Sequence, residues 1–132
     1  MTGAEAKAFL EEVFTAVLAP DADATVTNRY FTEDFEQIVD GGRLNRAQFD
    51  AHLETLRREV ASFAIDFTRV IAEGDEIAEV HYAKVRQKDG RVLTMKFIAF
   101  HSLRDGRIAR VEEVSHLVQG AAQDVDLGSG IR

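Results

Sequence analysis

Two residues of this chain, His81 and Glu113, are of the types and in the places that proton transfer needs. An imidazole and a carboxylate sharing a partly apolar pocket form the usual pair for general acid–base chemistry. Burial pushes the Glu113 carboxyl up, a charged His81 pulls it down, and the sequence leaves the outcome open. Further candidates surround them. Gln37 alternates with Phe35 and Val39, which turns it inward with a donor and an acceptor. His52 sits between Phe49 and Leu56 on an apolar helical stripe, and Tyr30 offers a hydroxyl to a pocket mouth. Each has a plainer role available: a salt bridge of Glu113 with His81 or Lys96, core histidines at positions 81 and 52, a structural hydrogen bond for Gln37, and core packing for Tyr30. Asp40 is explained by turn chemistry before Gly41 and Gly42.

Other chemistries have less support. The chain has no Cys, so it has neither a thiol nucleophile nor a thiolate metal site nor a disulfide. No phosphate-binding Gly-rich loop or nucleophile elbow occurs, and Ser102 and Ser115 lie in no catalytic motif. No His-x-x-x-His spacing suggests a metal, and no cofactor is expected. A net charge of −7, with Lys and Arg scattered among acids, argues against nucleic acid and anionic membrane as partners. No apolar run approaches the ~20 residues of a membrane span, and Met-Thr-Gly-Ala-Glu-Ala-Lys lacks a signal peptide's apolar core, so a cytoplasmic location is expected.

The elements that position these residues can be read from periodicity. The 132 residues, 45% hydrophobic and 30% charged, suit one globular domain. A helix is expected from about Thr2 to Ala19, opened by the Thr2/Glu5 capping pair and stopped by Pro20. A short helix follows over Asp23 to Phe31, then a strand over Phe35 to Val39. A third helix spans Arg46 to Val60, opened by Asn45 and Gln48. The period then changes to two, giving strands at Phe63 to Ile71, Glu76 to Gln87, Arg91 to Leu103 and Arg107 to Val118. Asp89-Gly90 and Asp105-Gly106 read as two-residue hairpin turns, Gly74-Asp75 as a weaker one. The class is α+β, with a domain over residues 1–119 and a flexible tail over 120–132.

Two-residue turns would fix the registers. They predict Thr68 opposite His81, His81 opposite Ile98, and Ile98 opposite Glu113. One sheet face then carries His81, Ile98, Phe100, Val111, Glu113 and Ser115. The other carries Phe67, Tyr82, Phe97 and His101. Helices can cover only one face, so the other is expected to meet a second copy of the chain.

Tyr30-Phe31-Thr-Glu-Asp34-Phe35, Gln37-Ile-Val-Asp40-Gly41, and Phe97 through Asp105-Gly106-Arg-Ile108 with the following Val111-Glu-Glu-Val make the chain resemble the nuclear-transport-factor-2-like superfamily, in its SnoaL-like branch. The superfamily includes ketosteroid isomerase, scytalone dehydratase and limonene epoxide hydrolase. The resemblance spans about residues 4 to 119. It implies a cone-shaped fold, with N-terminal helices packed in the concave face of a curved, mainly antiparallel sheet. It also implies that Val111, Glu113 and Ser115 face the pocket. Ketosteroid isomerisation is not implied, because Val13 or Phe14 stands where its oxyanion Tyr is expected and Phe100 falls near its protonated Asp. The epoxide hydrolase's Arg-Asp pair has no clear counterpart.

Two functions follow as expectations. One is a cofactor-free isomerase, cyclase or hydro-lyase acting on a small apolar or cyclic molecule. Glu113 and His81 would be catalytic, and Gln37, His52, Tyr30, Ile98, Phe100, Val111 and Ser115 would bind the ligand. The other is a non-catalytic ligand-binding or dimerisation module of the same fold. In both, a homodimer forms through the sheet face carrying Phe67, Tyr82 and Phe97.

Overall fold

The structure, a computed structural model, describes residues 1–120. Apart from Gly120, the expected tail lies outside the described residues. Helix α1 (Gly3–Val17) starts at the Thr2/Glu5 capping box, α2 (Ala24–Tyr30) at Asp23, and α3 (Arg46–Glu59) at the Asn45/Gln48 capping box. Each cap side chain accepts from backbone N–H groups that the first helical turn leaves unpaired. Strand β1 (Phe31–Val39) begins earlier than its alternation suggests. It turns at Asp40-Gly41 into a short β2 (Gly42–Leu44), which the sequence did not disclose. Then come β3 (Val60–Glu73), β4 (Glu76–Gln87), β5 (Val92–Arg104) and β6 (Arg107–Gln119).

The six strands form one sheet in the order β2-β1-β6-β5-β4-β3, antiparallel except for β1 beside β6. The helices pack against one face of it. Leu10, Val13 and Val17 of α1 and Phe49 and Leu53 of α3 meet Phe31, Phe35, Phe67, Ile77, Ala99, Ile108 and Val111 from the sheet. Phe31, Phe35 and Phe49 stack as a trio with ring centroids 4.6–4.9 Å apart, which locks α3 onto β1.

Three local irregularities correct the expected registers. The β4–β5 turn is not a two-residue one. The Gln87 amide donates to Arg91 at 2.8 Å and the Gly90 amide to Gln87 at 3.0 Å, with Gly90 at φ +93°. The loop is therefore Lys88-Asp89-Gly90, a three-residue hairpin that needs a left-handed glycine, and it slides β5 by one place. His81 faces Phe97, not Ile98. The Asp105-Gly106 turn does have the expected form, yet a bulge leaves Ala109 unpaired, so Ile98 faces Val114 and Glu113 faces Ala99. A bulge between Phe67 and Arg69 places Phe67, not Thr68, opposite His81.

A slip of one residue exchanges the faces of a strand. Met95, Phe97, Ala99 and His101 of β5 therefore lie under the helices, together with Phe63, Ile65 and Phe67 of β3. Ile98 and Phe100 point outward, 46% and 58% exposed. The dimer face expected around Phe67, Tyr82 and Phe97 does not exist as such. Phe67 and Phe97 are buried within the subunit, and Tyr82 lies on the outer face beneath the Lys96 ammonium.

Candidate active site

Between the helices and the concave face of the sheet lies a cavity of about 390 Å³, within the range that holds a small organic ligand. Its walls are mostly apolar, with Phe14 from α1, Phe49 and Leu53 from α3, and Phe97 from β5. Its polar groups come from three rows across the sheet. Gln37, Val111 and His101 are neighbours on β1, β6 and β5. Two residues along, Val39, Glu113, Ala99 and Glu79 form the next row, and beyond it come Ser115, Phe97, His81 and Phe67. Glu113 and Glu79 thus flank Ala99.

The two carboxylates have opposite environments. Glu113 accepts a hydrogen bond from Gln37 Nε2 at 2.6 Å. Burial pushes its carboxyl above the ordinary carboxylate range, and the charges of His81 and His101 and the Gln37 hydrogen bond only partly oppose this. Glu113 is half-buried and lines the cavity. The Glu79 side chain has no exposed surface. Burial pushes it up too, but hydrogen bonds from His101 and His81, with their charges, outweigh that and hold it below the ordinary range. His81 Nδ1 donates to Glu79 Oε1 and Oε2 at 2.8 and 3.0 Å, and His101 Nε2 donates to Oε2 at 2.9 Å. Two acids driven in opposite directions on either side of Ala99 are the arrangement that separates a proton carrier from a fixed charge.

The expected residues sort as follows. His81, Glu113, Gln37, His52 and Val111 all line the cavity. The His81 ring stacks on Phe97 with centroids 4.7 Å apart and meets Phe14 and Phe67 edgewise. Ile98 and Phe100 do not line it, because the β4–β5 loop and the Ala109 bulge turn them outward. Tyr30 is also elsewhere, its hydroxyl donating to Glu12 at 3.0 Å. Ser115 is engaged by Asp40, whose Oδ1 accepts from the Ser115 amide at 2.7 Å and whose Oδ2 bonds its hydroxyl, so the pair ties the β1–β2 turn to β6. Glu79 and His101 were missed as site residues. Glu79 stands two before His81 on the same strand face, a signal present in the sequence. His101 was hidden by the register slip. Among the described residues no cluster of His, Asp and Glu is arranged for a metal ion. No helix among them is long and apolar enough to cross a membrane.

Residues 10–111 match the SnoaL-like domain, and the chain belongs to that family. An uncharacterized protein of Schizosaccharomyces pombe, C11D3.04c, is 30% identical over 125 residues, covering 95% of this chain and 96% of the yeast protein. Among solved structures, a nuclear-transport-factor-2-like protein of unknown function from Exiguobacterium sp. 255-15 superposes with a TM-score of 0.67 at 15% identity, covering 82% of this chain and 98% of its own. An epoxide hydrolase of Mycobacterium tuberculosis resembling limonene epoxide hydrolase gives 0.65 at 16%, covering 91% and 84%. IdmH of Streptomyces antibioticus, a candidate polyketide cyclase, gives 0.67 at 14%, covering 83% and 90%. At these identities the structural likeness shows the fold alone. The α+β nuclear-transport-factor-2-like fold is thus established.

Proposed function

We propose that the cavity binds a small apolar or cyclic molecule and that Glu113 and His81 move protons on it, as in an isomerase, cyclase or hydro-lyase without a cofactor. The observation that carries this reading is a carboxyl desolvated against an apolar cavity, with an imidazole in the next row of the same sheet face whose own carboxylate partner is buried. Burial brings the Glu113 carboxyl closer to neutrality, where a group can both take and return a proton. In the step proposed, the ligand's C–H bond breaks beside a carbonyl and its proton forms an O–H bond on Glu113. The C–H electron pair becomes the C=C of an enol, and the enol oxygen takes its proton from the His81 imidazolium. Returning the Glu113 proton to the far carbon of a conjugated enol, while the enol O–H proton goes back to His81 and the C=O re-forms, completes an isomerisation. Attack of the enol carbon on a second carbonyl closes a ring, the new alkoxide taking the Glu113 proton while the enol O–H proton returns to His81.

The test is deuterium uptake at the α-carbon of 1-tetralone in D2O. The protein should accelerate it, and Glu113→Gln should remove the protein-dependent part. Equal rates for the two proteins would refute the mechanism. The alternative, a non-catalytic binding module, gains from the family's absent pocket Tyr, since Phe14 lines the cavity here. It predicts tight ligand binding that survives Glu113→Gln.

We also propose that two copies associate through the outer sheet face. Ile98 and Val114 are paired neighbours there, 46% and 57% exposed, with Phe100 beside them, the kind of contiguous apolar surface that marks an interface. The cytoplasm is the proposed compartment, in keeping with a chain that has no Cys to oxidise.

A further inference from the structure

Glu79 takes no part in the step just described, yet its side chain has no exposed surface, and both of its oxygens are engaged by imidazoles that line the cavity. A carboxylate has no hydrogen to give, so both contacting ring nitrogens must carry one. His81 is thereby fixed with its hydrogen on Nδ1, and His101 with its hydrogen on Nε2. The outer nitrogens of the two rings then differ. Both rings line the cavity, and His81 Nε2 makes no hydrogen bond among the described residues yet is not among the buried, partnerless atoms. His101 Nδ1 is buried and has no hydrogen-bond partner among the described residues. A second proton on His101 would strand a dry N–H with no acceptor. The same proton on His81 would sit where a bound molecule can receive it.

We propose that Glu79 is a positioning residue that makes His81 the acid of the site, and that His101 is a brace that holds Glu79 without competing for its charge. The inference rests on the reading of Glu113 and His81 as the proton-transfer pair. It adds the residue that sets which ring acts, in which tautomer, and through which atom. One buried anion compensates one cation, so reserving Glu79's charge for His81 keeps the imidazolium available for delivery at Nε2. The other groups facing the two rings are Glu113 from β6, Phe14 from α1, Phe67 from β3 and Phe97 from β5. Of these, only Glu113 is ionisable.

The test is 15N NMR of the full chain with labelled histidine, assigned with His52→Gln, His101→Gln and His116→Gln. At alkaline pH His81 should show its hydrogen on Nδ1 and His101 on Nε2. On acidification the second proton should appear on His81 before His101. In the 1-tetralone exchange assay, Glu79→Gln should lower the rate constant by about 100-fold with little change in ligand affinity, and Glu79→Asp should recover part of it. A second proton arriving first on His101, or His81 with its hydrogen on Nε2, overturns the proposal. So does an undiminished exchange rate in Glu79→Gln. Should that variant not fold, the wild-type tautomers and the order of protonation decide alone. If the wild type does not accelerate exchange, or Glu113→Gln leaves it intact, the proton-transfer reading fails, while the spectra still report on Glu79.

Discussion

Replacing Glu79 by Gln perturbs the charge on which the interior of the cavity is organised, with nearly no change in volume. The carboxylate accepts from two imidazoles at 2.8–3.0 Å. Charge-assisted hydrogen bonds contribute about 1.5–3 kcal/mol each, and removing one partner of a buried pair costs about 3–5 kcal/mol. Glutamine keeps one acceptor and relieves the desolvation of the anion, so the expected loss is smaller, about 2–3 kcal/mol at pH 7. With a urea dependence of about 1.5 kcal/mol per molar, the unfolding midpoint should fall by about 1.3–2 M. Glu79 is held below the ordinary carboxylate range, so its contribution is complete above the unfolded value and fades as pH falls through the folded one. The gap between wild type and variant should therefore be full at pH 7 and begin to narrow only as pH falls below the unfolded value of about 4.3. The measurement is urea unfolding followed by circular dichroism across that range. A loss under about 0.5 kcal/mol, or one that does not change with pH, would refute the assignment of Glu79 as a clamped anion.

Glu113→Gln should do the opposite. Burial raises the Glu113 carboxyl, so the native state loses stability as pH rises from the unfolded value towards the folded one. The variant escapes this loss. Its advantage in urea unfolding should be near zero at pH 4, grow by about 1.4 kcal/mol per pH unit, and then level off. Ile98→Arg together with Phe100→Glu should halve the mass seen by light scattering without lowering the urea midpoint, whereas an unchanged mass would count against the outer face as the dimer contact. Phe97→Arg should destabilise the subunit itself, because Phe97 packs inside against His81. Asn45→Ala should cost about 1 kcal/mol through the lost α3 cap, and a thermal scan showing no shift would deny that cap its role.

The helices were legible because their signals are local. Thr2 with Glu5, Asp23, and Asn45 with Gln48 each mark a helix start within three residues of the groups they satisfy. The strands were legible from their period. Pairing was harder, because register depends on single residues at loops and bulges. Lys88 and Ala109 carry no compositional mark that separates a three-residue loop from a two-residue one, or a bulged residue from a paired one. His81 and Glu113 kept their expected shared face because the two slips between them, at the β4–β5 loop and at Ala109, cancel. The slip in β5 took Ile98 and Phe100 out of the cavity and brought in Phe97 and His101, while the bulge in β3 set Phe67 opposite His81 in the core. Half of the His81–Glu79–His101 cluster could be read from the i, i+2 spacing on β4. The other half required coordinates.

The account turns on whether Glu113 is a desolvated proton carrier. Its titration can be followed directly by the 13C signal of its side-chain carboxyl, assigned by the resonance that disappears in Glu113→Gln. A midpoint clearly above the ordinary glutamate value of about 4.3, moving further when 1-tetralone is added, is the expected result. A midpoint at or below that value, indifferent to ligand, would contradict it.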